Sequence, residues 1–183
     1  MEETHTGKAL IDPYRVIEKM GLKEGMRVAD MGCGRTGHFI FAISKIVGES
    51  GMIYAVDIFK DVLESIRSRA RSEGYENIQP VWSNVEKVGA TPIPAKSLDV
   101  CMFINVMFGV KEKDKALEEA LRLLADGGMI VVIDWIRKLG PLGPTPEAII
   151  RPSVFIELAA KNGLKVQQNF AAGDYHFCLI FKK

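Results

Sequence analysis

The sequence predicts an α/β fold: a doubly wound sheet of seven strands, mostly parallel, with one antiparallel strand supplied by a C-terminal hairpin. Three observations carry this reading. Short β-rich runs alternate with amphipathic helical runs, which is the pattern of βαβ units. Residues 98–104 (LDVCMFI) form a nearly unbroken apolar run, the mark of a strand buried on both faces. Two last strands flank a Gly-containing turn of hairpin length, residues 171–174.

Asp12-Pro13 is a good helix start, because proline suits the first helical position. Residues 26–31 (MRVADM) read as the first strand and lead into glycine-rich punctuation. Residues 36–47 carry Phe39, Ile40, Ala42, Ile43, Ile46 and Val47 at helical spacing. Residues 52–56 (MIYAV) are the second strand, and residues 60–70 a helix with Val62, Leu63 and Ile66 on its apolar side. Strands at 78–82 and 98–104 follow. Residues 111–124 form a helix with Ala116, Leu117, Ala120, Leu121 and Leu124 inward, and 129–135 the fifth strand. Residues 136–152 break the rhythm with Pro141, Pro144, Pro146, Pro152, Gly140 and Gly143. Such a loop can cover a site or act as a rigid connector. Strands at 164–170 and 175–181 close the chain. Residues 1–183 make one domain's worth of chain, with 1–20 as a flexible lead and helix.

Composition narrows the function. Forty-eight per cent apolar and 26% charged residues are ordinary for a globular domain, which excludes disorder as the main state. Lys+Arg is 24 against 23 Asp+Glu, a net charge of +1, so no general attraction to DNA, RNA or anionic lipid is expected. The longest apolar stretches fall short of the ~18–20 residues that cross a bilayer, and MEETHTGK has no apolar core of a signal peptide. Cys33, Cys101 and Cys178 suit neither a disulfide framework nor a metal site. A reducing, cytoplasmic setting and no metal are expected; oligomeric state is open.

The chemistry starts at VADMGCGRTGHF, residues 28–39. Gly32, Gly34 and Gly37 fit G-x-G-x-x-G between a strand and a helix, where backbone can turn tightly around a ligand. Asp57 ends the next strand, where a carboxylate can accept from both hydroxyls of a ribose; it also suits capping of the following helix. A dinucleotide and S-adenosylmethionine both fit this pair. Asp30, two residues before the first glycine, favours the second: its charge repels a pyrophosphate and attracts an ammonium or sulfonium group. No Tyr is followed four residues later by Lys, and no second domain is present to hold a hydride partner. Both facts count against a dehydrogenase.

With these residues in view, the chain resembles a class I S-adenosylmethionine-dependent methyltransferase of Rossmann-like fold, nearest the ubiquinone/menaquinone-biosynthesis type. VADMGCGRTG resembles the first motif of that family, YAVDIF its acidic second motif, TPIPAKSLDVCMF the approach to strand four, and LRLLADGGMIVVIDW the helix-turn-strand with a Gly-Gly pair. The resemblance implies that Asp30, Gly32, Cys33 and Gly34 hold the methionine end, that Asp57 takes the ribose hydroxyls, and that Ile58 lies against adenine. It implies that Asn84 and Val85 meet the adenine edge and that Asn105 lies beside the transferred methyl. Asn84 stands where many relatives have Asp; its amide oxygen can still accept. Cys33 reads as a small filler rather than a nucleophile.

The chain also departs from the pattern. Where many relatives carry one or two histidines just past strand four, this chain has Val106-Met107-Phe108-Gly109-Val110, and the aromatic Asn/Asp-Pro-Pro motif of nucleobase methylation is absent. His38 and His176 read as packed or surface residues, and His5 lies in the lead. No catalytic base is assigned. The expectation is methyl transfer to a small-molecule acceptor. A protein or RNA methyltransferase and a silent S-adenosylmethionine-binding protein are the alternatives. Trp135, at the end of strand five, is expected to close the acceptor pocket or to pack under its own loop. Tyr14 and Arg15 are expected to reach the same mouth.

Overall fold

The computed structural model describes residues 10–182, so the expected lead, with His5, lies outside the described residues. Helix α1 (Pro13–Met20) starts as expected: Asp12 Oδ1 accepts from the Tyr14 N–H at 3.0 Å, Pro13 occupies the first turn, and Gly21 ends it at φ 64°. Strand β1 (Arg27–Met31), helix α2 (Ile40–Val47), strand β2 (Met52–Asp57), helix α3 (Lys60–Ser72) and strand β3 (Ile78–Trp82) follow. Strand β4 (Leu98–Ile104), helix α4 (Lys113–Leu123), strand β5 (Leu124–Trp135), helix α5 (Pro152–Lys161) and the hairpin β6 (Lys165–Ala171) and β7 (His176–Lys182) complete the chain.

The seven strands form one sheet in the order β3-β2-β1-β4-β5-β7-β6. Strands β1 to β5 pair in parallel, and β7 runs antiparallel to both β5 and β6. Chain direction reverses its course across the sheet between β1 and β4, the switch point where ligands sit in such folds. Strand alternation divides the core in two. Val28, Val100, Met102, Val131, Ile133 and Cys178 pack against the side of α1, α2 and α3, while Ala29, Cys101, Phe103, Val132 and Leu179 pack against α4 and α5. By the same alternation Asp30, Asp57, Trp135 and His176 point to the first side, each near the carboxyl edge of the sheet.

Several boundaries differ from the sequence expectation. Helix α2 begins at Ile40 rather than at 36, because Gly37 (φ 55°) is still in the loop. Strand β5 begins at Leu124, directly after α4; a register shift between Leu98 and Val100, with Gly127 at φ 78°, keeps it on β4. The hairpin strands lie one residue later than expected. Helix α5 was not signalled at all, and it occupies part of the chain after the proline-rich loop. That loop itself carries a Leu139–Leu142 bridge and a short 3-10 turn at Pro146–Ala148.

Candidate cofactor and acceptor site

The carboxyl edge between β1 and β4 opens into a cavity of about 420 Å³. Its wall includes Gly32 and Gly34 from the glycine loop, Asp57, Ile58, Phe59 and Val62 from the β2–α3 junction, Ser83, Asn84, Val85 and Glu86 after β3, and Asn105, Val106, Phe108, Gly109 and Val110 after β4. Seven of the residues singled out from the sequence thus meet around one space: Gly32, Gly34, Asp57, Ile58, Asn84, Val85 and Asn105.

The glycine loop is shaped by its backbone. The Gly32 and Cys33 N–H groups both donate to the Val56 carbonyl, at 2.8 and 3.0 Å. This folds the loop back over β2. Gly32 has φ 92°, and a Cβ built there would lie 2.6 Å from Val106 Cγ2, so the loop and the segment after β4 touch through a missing side chain. Gly34 has φ 64° and open space where its Cβ would be. Asp57 fastens the loop: one carboxylate oxygen accepts from the Gly34 N–H at 3.1 Å, and the other from the Phe59 N–H at 3.0 Å. It therefore caps the turn before α3 and braces the glycine loop together.

Asp30 lies beneath, 3% exposed, with Oδ1 hydrogen-bonded to nothing. Burial, reinforced by the charge of Asp57, pushes its carboxyl up to about 7. An unpartnered buried acid is a destabilising arrangement unless a cation or donor arrives. Cys33 is buried beside it. Burial and the two carboxylates push the thiol far above its ordinary range, so it carries no thiolate nucleophile.

The adenine side of the sequence reading has its own scaffold. Asn84 Oδ1 accepts from the Glu86 N–H at 2.9 Å, which leaves the second lone pair of that oxygen and the amide NH₂ for another partner. Ser83 N–H donates to the Asp57 carbonyl, tying this segment to β2. Buried Glu119 pins its far end, accepting from Gly89 N–H (2.7 Å), Thr91 N–H (3.0 Å) and the Arg122 guanidinium (2.7 and 2.8 Å). Burial acts to raise its pKa, but these bonds hold the carboxyl down to about 2. Glu86 accepts from Lys111 and Glu112 N–H, closing the cavity against the start of α4. Asn105 takes φ 54°, a left-handed conformation that Asn tolerates, and its Oδ1 is buried without a partner. Beyond it, Asp134 accepts from Phe108 N–H (2.9 Å) and Trp135 N–H (2.8 Å), and burial raises it to about 6. The sequence reading missed Phe59, Val62, Ser83 and Phe108; the signal available was only their adjacency to the named positions.

The acceptor residues named from sequence are dispersed. Trp135 does not line the cavity. It is 6% exposed, with Gly143 of the following loop against its six-membered ring and the His176 imidazole 4.2 Å away. The expectation that it closes the mouth with a free face is corrected to the alternative, packing under its own loop, because glycine at 143 (φ 87°) lets the chain lie on the indole. Tyr14 is half exposed, and Arg15 borders a separate hollow with Leu10, Asp12, Lys19 and residues 170–173. Neither borders the cavity. His38 is a packed residue, its Nε2 3.1 Å from the Ile11 carbonyl.

A family model described as a methyltransferase domain matches residues 22–149. The chain belongs to that family. It is similar to methyltransferases of the UbiE type. The methyltransferase is 33% identical over 130 residues to the ubiquinone/menaquinone biosynthesis C-methyltransferase UbiE of Hahella chejuensis, covering 69% of this chain and 49% of that protein. The corresponding protein of Vibrio campbellii is 33% identical over 134 residues, covering 72% of this chain and 50% of its own length. The chain therefore spans about half the length of these curated relatives. A crystal structure of an S-adenosylmethionine-dependent methyltransferase from Aquifex aeolicus matches the methyltransferase with TM-score 0.88 at 27% identity, over 98% of this chain and 94% of that one. Among the described residues no helix is long and apolar enough to cross a membrane, and no three His, Cys, Asp or Glu side chains gather as metal ligands.

Proposed function

We propose that this methyltransferase uses S-adenosylmethionine to methylate a small molecule, and that the acceptor is a hydroxylated aromatic ring methylated at carbon. The observation that carries the cofactor assignment is Asp30: a buried carboxyl with an empty lone pair at the foot of the glycine loop fits a cation and disfavours a pyrophosphate. In this reading Asp30 and the Gly32–Gly34 backbone hold the methionine end, and Asp57 adds two ribose hydroxyls to its remaining lone pairs. Ile58, almost half exposed, offers an apolar face to the adenine, and Asn84 and Val85 meet its edge. Asn105 Oδ1 lies at the methyl end.

When bound, S-adenosylmethionine supplies a methyl group whose bond to sulfur breaks as the acceptor nucleophile attacks, the bonding pair remaining on sulfur. The chain's own contribution is alignment and exclusion of water, since the segment from Asn105 to Val110 brings Val106, Phe108 and Val110 to the cavity wall and no acid or base. A hydroxylated ring suits such a site: once its hydroxyl proton has passed to solvent, the ring oxygen pushes electrons onto the neighbouring carbon, and the proton displaced from that carbon returns to the oxygen as the ring regains aromaticity. The names of the UbiE relatives, C-methyltransferases of quinone biosynthesis, support the same acceptor class. The test is incubation with methyl-labelled S-adenosylmethionine and a cell extract. Label is expected in the small-molecule fraction, on carbon. Label confined to protein or nucleic acid, or no transfer, overturns the proposal.

A further inference from the structure

Among the described residues, buried side-chain nitrogen or oxygen atoms without a hydrogen-bond partner occur in three residues: Asp30, Asn105 and His176. All three stand at the carboxyl edge of the sheet. Asp30 and Asn105 belong to the cofactor site proposed above. His176 does not. It lies on β7, three strands from Asp30 in the order β1-β4-β5-β7 and four residues further along by the ladder register, which together is about 19 Å at the usual strand spacing and rise. It lies two strands from Asn105, or about 10 Å. One adenosyl ligand seated on β1, β2 and β3 leaves this group without a partner.

The imidazole is fully buried, and neither ring nitrogen is bonded to anything. Its place is fixed by its neighbours. His176 is directly opposite Trp135 across the β5–β7 ladder, and the two rings pack at 4.2 Å with a 48° tilt. Trp135 is itself held by Gly143. The His176 carbonyl accepts from Ala172 N–H at 2.9 Å, which anchors the turn of the hairpin. Burial alone lowers the imidazole to about 4, so near neutrality it is uncharged, with one ring nitrogen as donor and the other as acceptor. A hydroxyl, which also donates and accepts, is the matching partner. Leaving two polar atoms bare in an apolar setting is costly, and the cost is recovered when a hydroxylated ligand enters.

We infer that His176, buttressed by Trp135, is a binding residue for the acceptor, recognising a hydroxyl on its aromatic ring at the β5–β7 end of the same face of the sheet. This rests on the small-molecule methyltransferase reading above. The test uses the S-adenosylhomocysteine complex with 1-naphthol and naphthalene as probes, two rings that differ by the hydroxyl alone. The parent protein is expected to bind 1-naphthol about tenfold more tightly than naphthalene, the value of one buried neutral hydrogen bond. His176→Phe keeps a ring on Trp135 and removes both nitrogens. It is expected to reduce that preference to less than about threefold while the affinity for S-adenosylhomocysteine stays within about threefold of the parent. Should this variant not fold, ¹⁵N spectra of the parent protein serve instead: the His176 ring resonances are expected to shift with 1-naphthol and not with naphthalene. No hydroxyl preference in the parent, an unchanged preference in His176→Phe, or unshifted His176 resonances overturns the inference. Failure of the parent to bind S-adenosylhomocysteine overturns the underlying methyltransferase reading instead, and the inference with it.

Discussion

Cofactor affinity should follow the ionisation of Asp30. The carboxyl is neutral below about pH 7 in the ligand-free protein, because it is buried and faces the charge of Asp57. A ligand ammonium favours the ionised form, so binding below pH 7 must expel a proton. The sign follows from linkage: affinity falls as pH falls through the raised pKa of the free protein, and levels off above it. With a free-state pKa of about 7, the ratio of affinities at pH 8 and pH 6 is about tenfold, and roughly one proton is released per ligand at pH 6. The perturbation is Asp30→Asn, which removes the titrating group at nearly constant shape. Its affinity for S-adenosylhomocysteine should be flat from pH 6 to 8 and close to the acidic limit of the parent. Calorimetry in two buffers of different ionisation enthalpy measures both affinity and proton count. Asp134, raised to about 6, is another buried carboxyl near the cavity and titrates in both proteins, so the difference between parent and variant isolates Asp30. A parent affinity that is the same at pH 6 and pH 8, or an equal slope in Asp30→Asn, refutes the reasoning.

Asp57→Ala should weaken S-adenosylhomocysteine by about 30- to 1000-fold, or roughly 2–4 kcal/mol, for two charge-assisted hydroxyl bonds with partial non-additivity; isothermal titration of the folded variant checks it, and parent-like affinity removes Asp57 from the ribose. Gly32→Ala places a Cβ 2.6 Å from Val106 Cγ2 at φ 92° and should destabilise the fold by about 2 kcal/mol or more in urea unfolding. Glu119→Ala strips the acceptor from Gly89, Thr91 and the three-quarters buried Arg122 side chain. It should destabilise by about 3 kcal/mol, near the low end for breaking a buried pair because Arg122 keeps some solvent; a loss under 1 kcal/mol in thermal unfolding would show that the pocket segment does not depend on it.

Most of the fold was legible because most of the strands obey one rule. Strands β1, β2 and β4 are buried on both faces between helix layers, so Val28–Met31, Ile53–Asp57 and Val100–Phe103 read as apolar runs. Helix α5 escaped because only Phe155 and Ala159 are buried on it, a stripe too narrow to announce a period, and Pro152 reads equally as loop end or first helical turn. The start of β5 escaped because Asp126-Gly127-Gly128 looks like a turn, whereas the structure uses it as an irregular strand segment brought against Asp99. The residues around the cavity were legible because most of them sit at strand ends, where a motif fixes the position. His176 was read as a packed or surface residue. Its neighbours in sequence, Tyr175 and Phe177, say nothing of Trp135, which reaches it only through an antiparallel register 41 positions away in the chain.

The two acids of the glycine loop do opposite things, and the contrast bears on selectivity. Asp57 is satisfied before any ligand arrives: Gly34 and Phe59 donate to it, so the loop is already in the shape that a ribose needs, and little ordering remains to be done on binding. Asp30 is left unsatisfied, and the fold carries that cost in the ligand-free state. A neutral ligand would relieve only the missing hydrogen bond. An anionic one would add repulsion from the carboxylates of Asp30 on β1 and Asp57 on β2. A cationic amino-acid end relieves the missing bond and restores the charge of Asp30 together, so the term that destabilises the empty site is returned most fully to that ligand. On the proposed reading, discrimination between S-adenosylmethionine and a dinucleotide comes from how the site is left incomplete, while affinity for the nucleoside they share comes from how the rest is prepared.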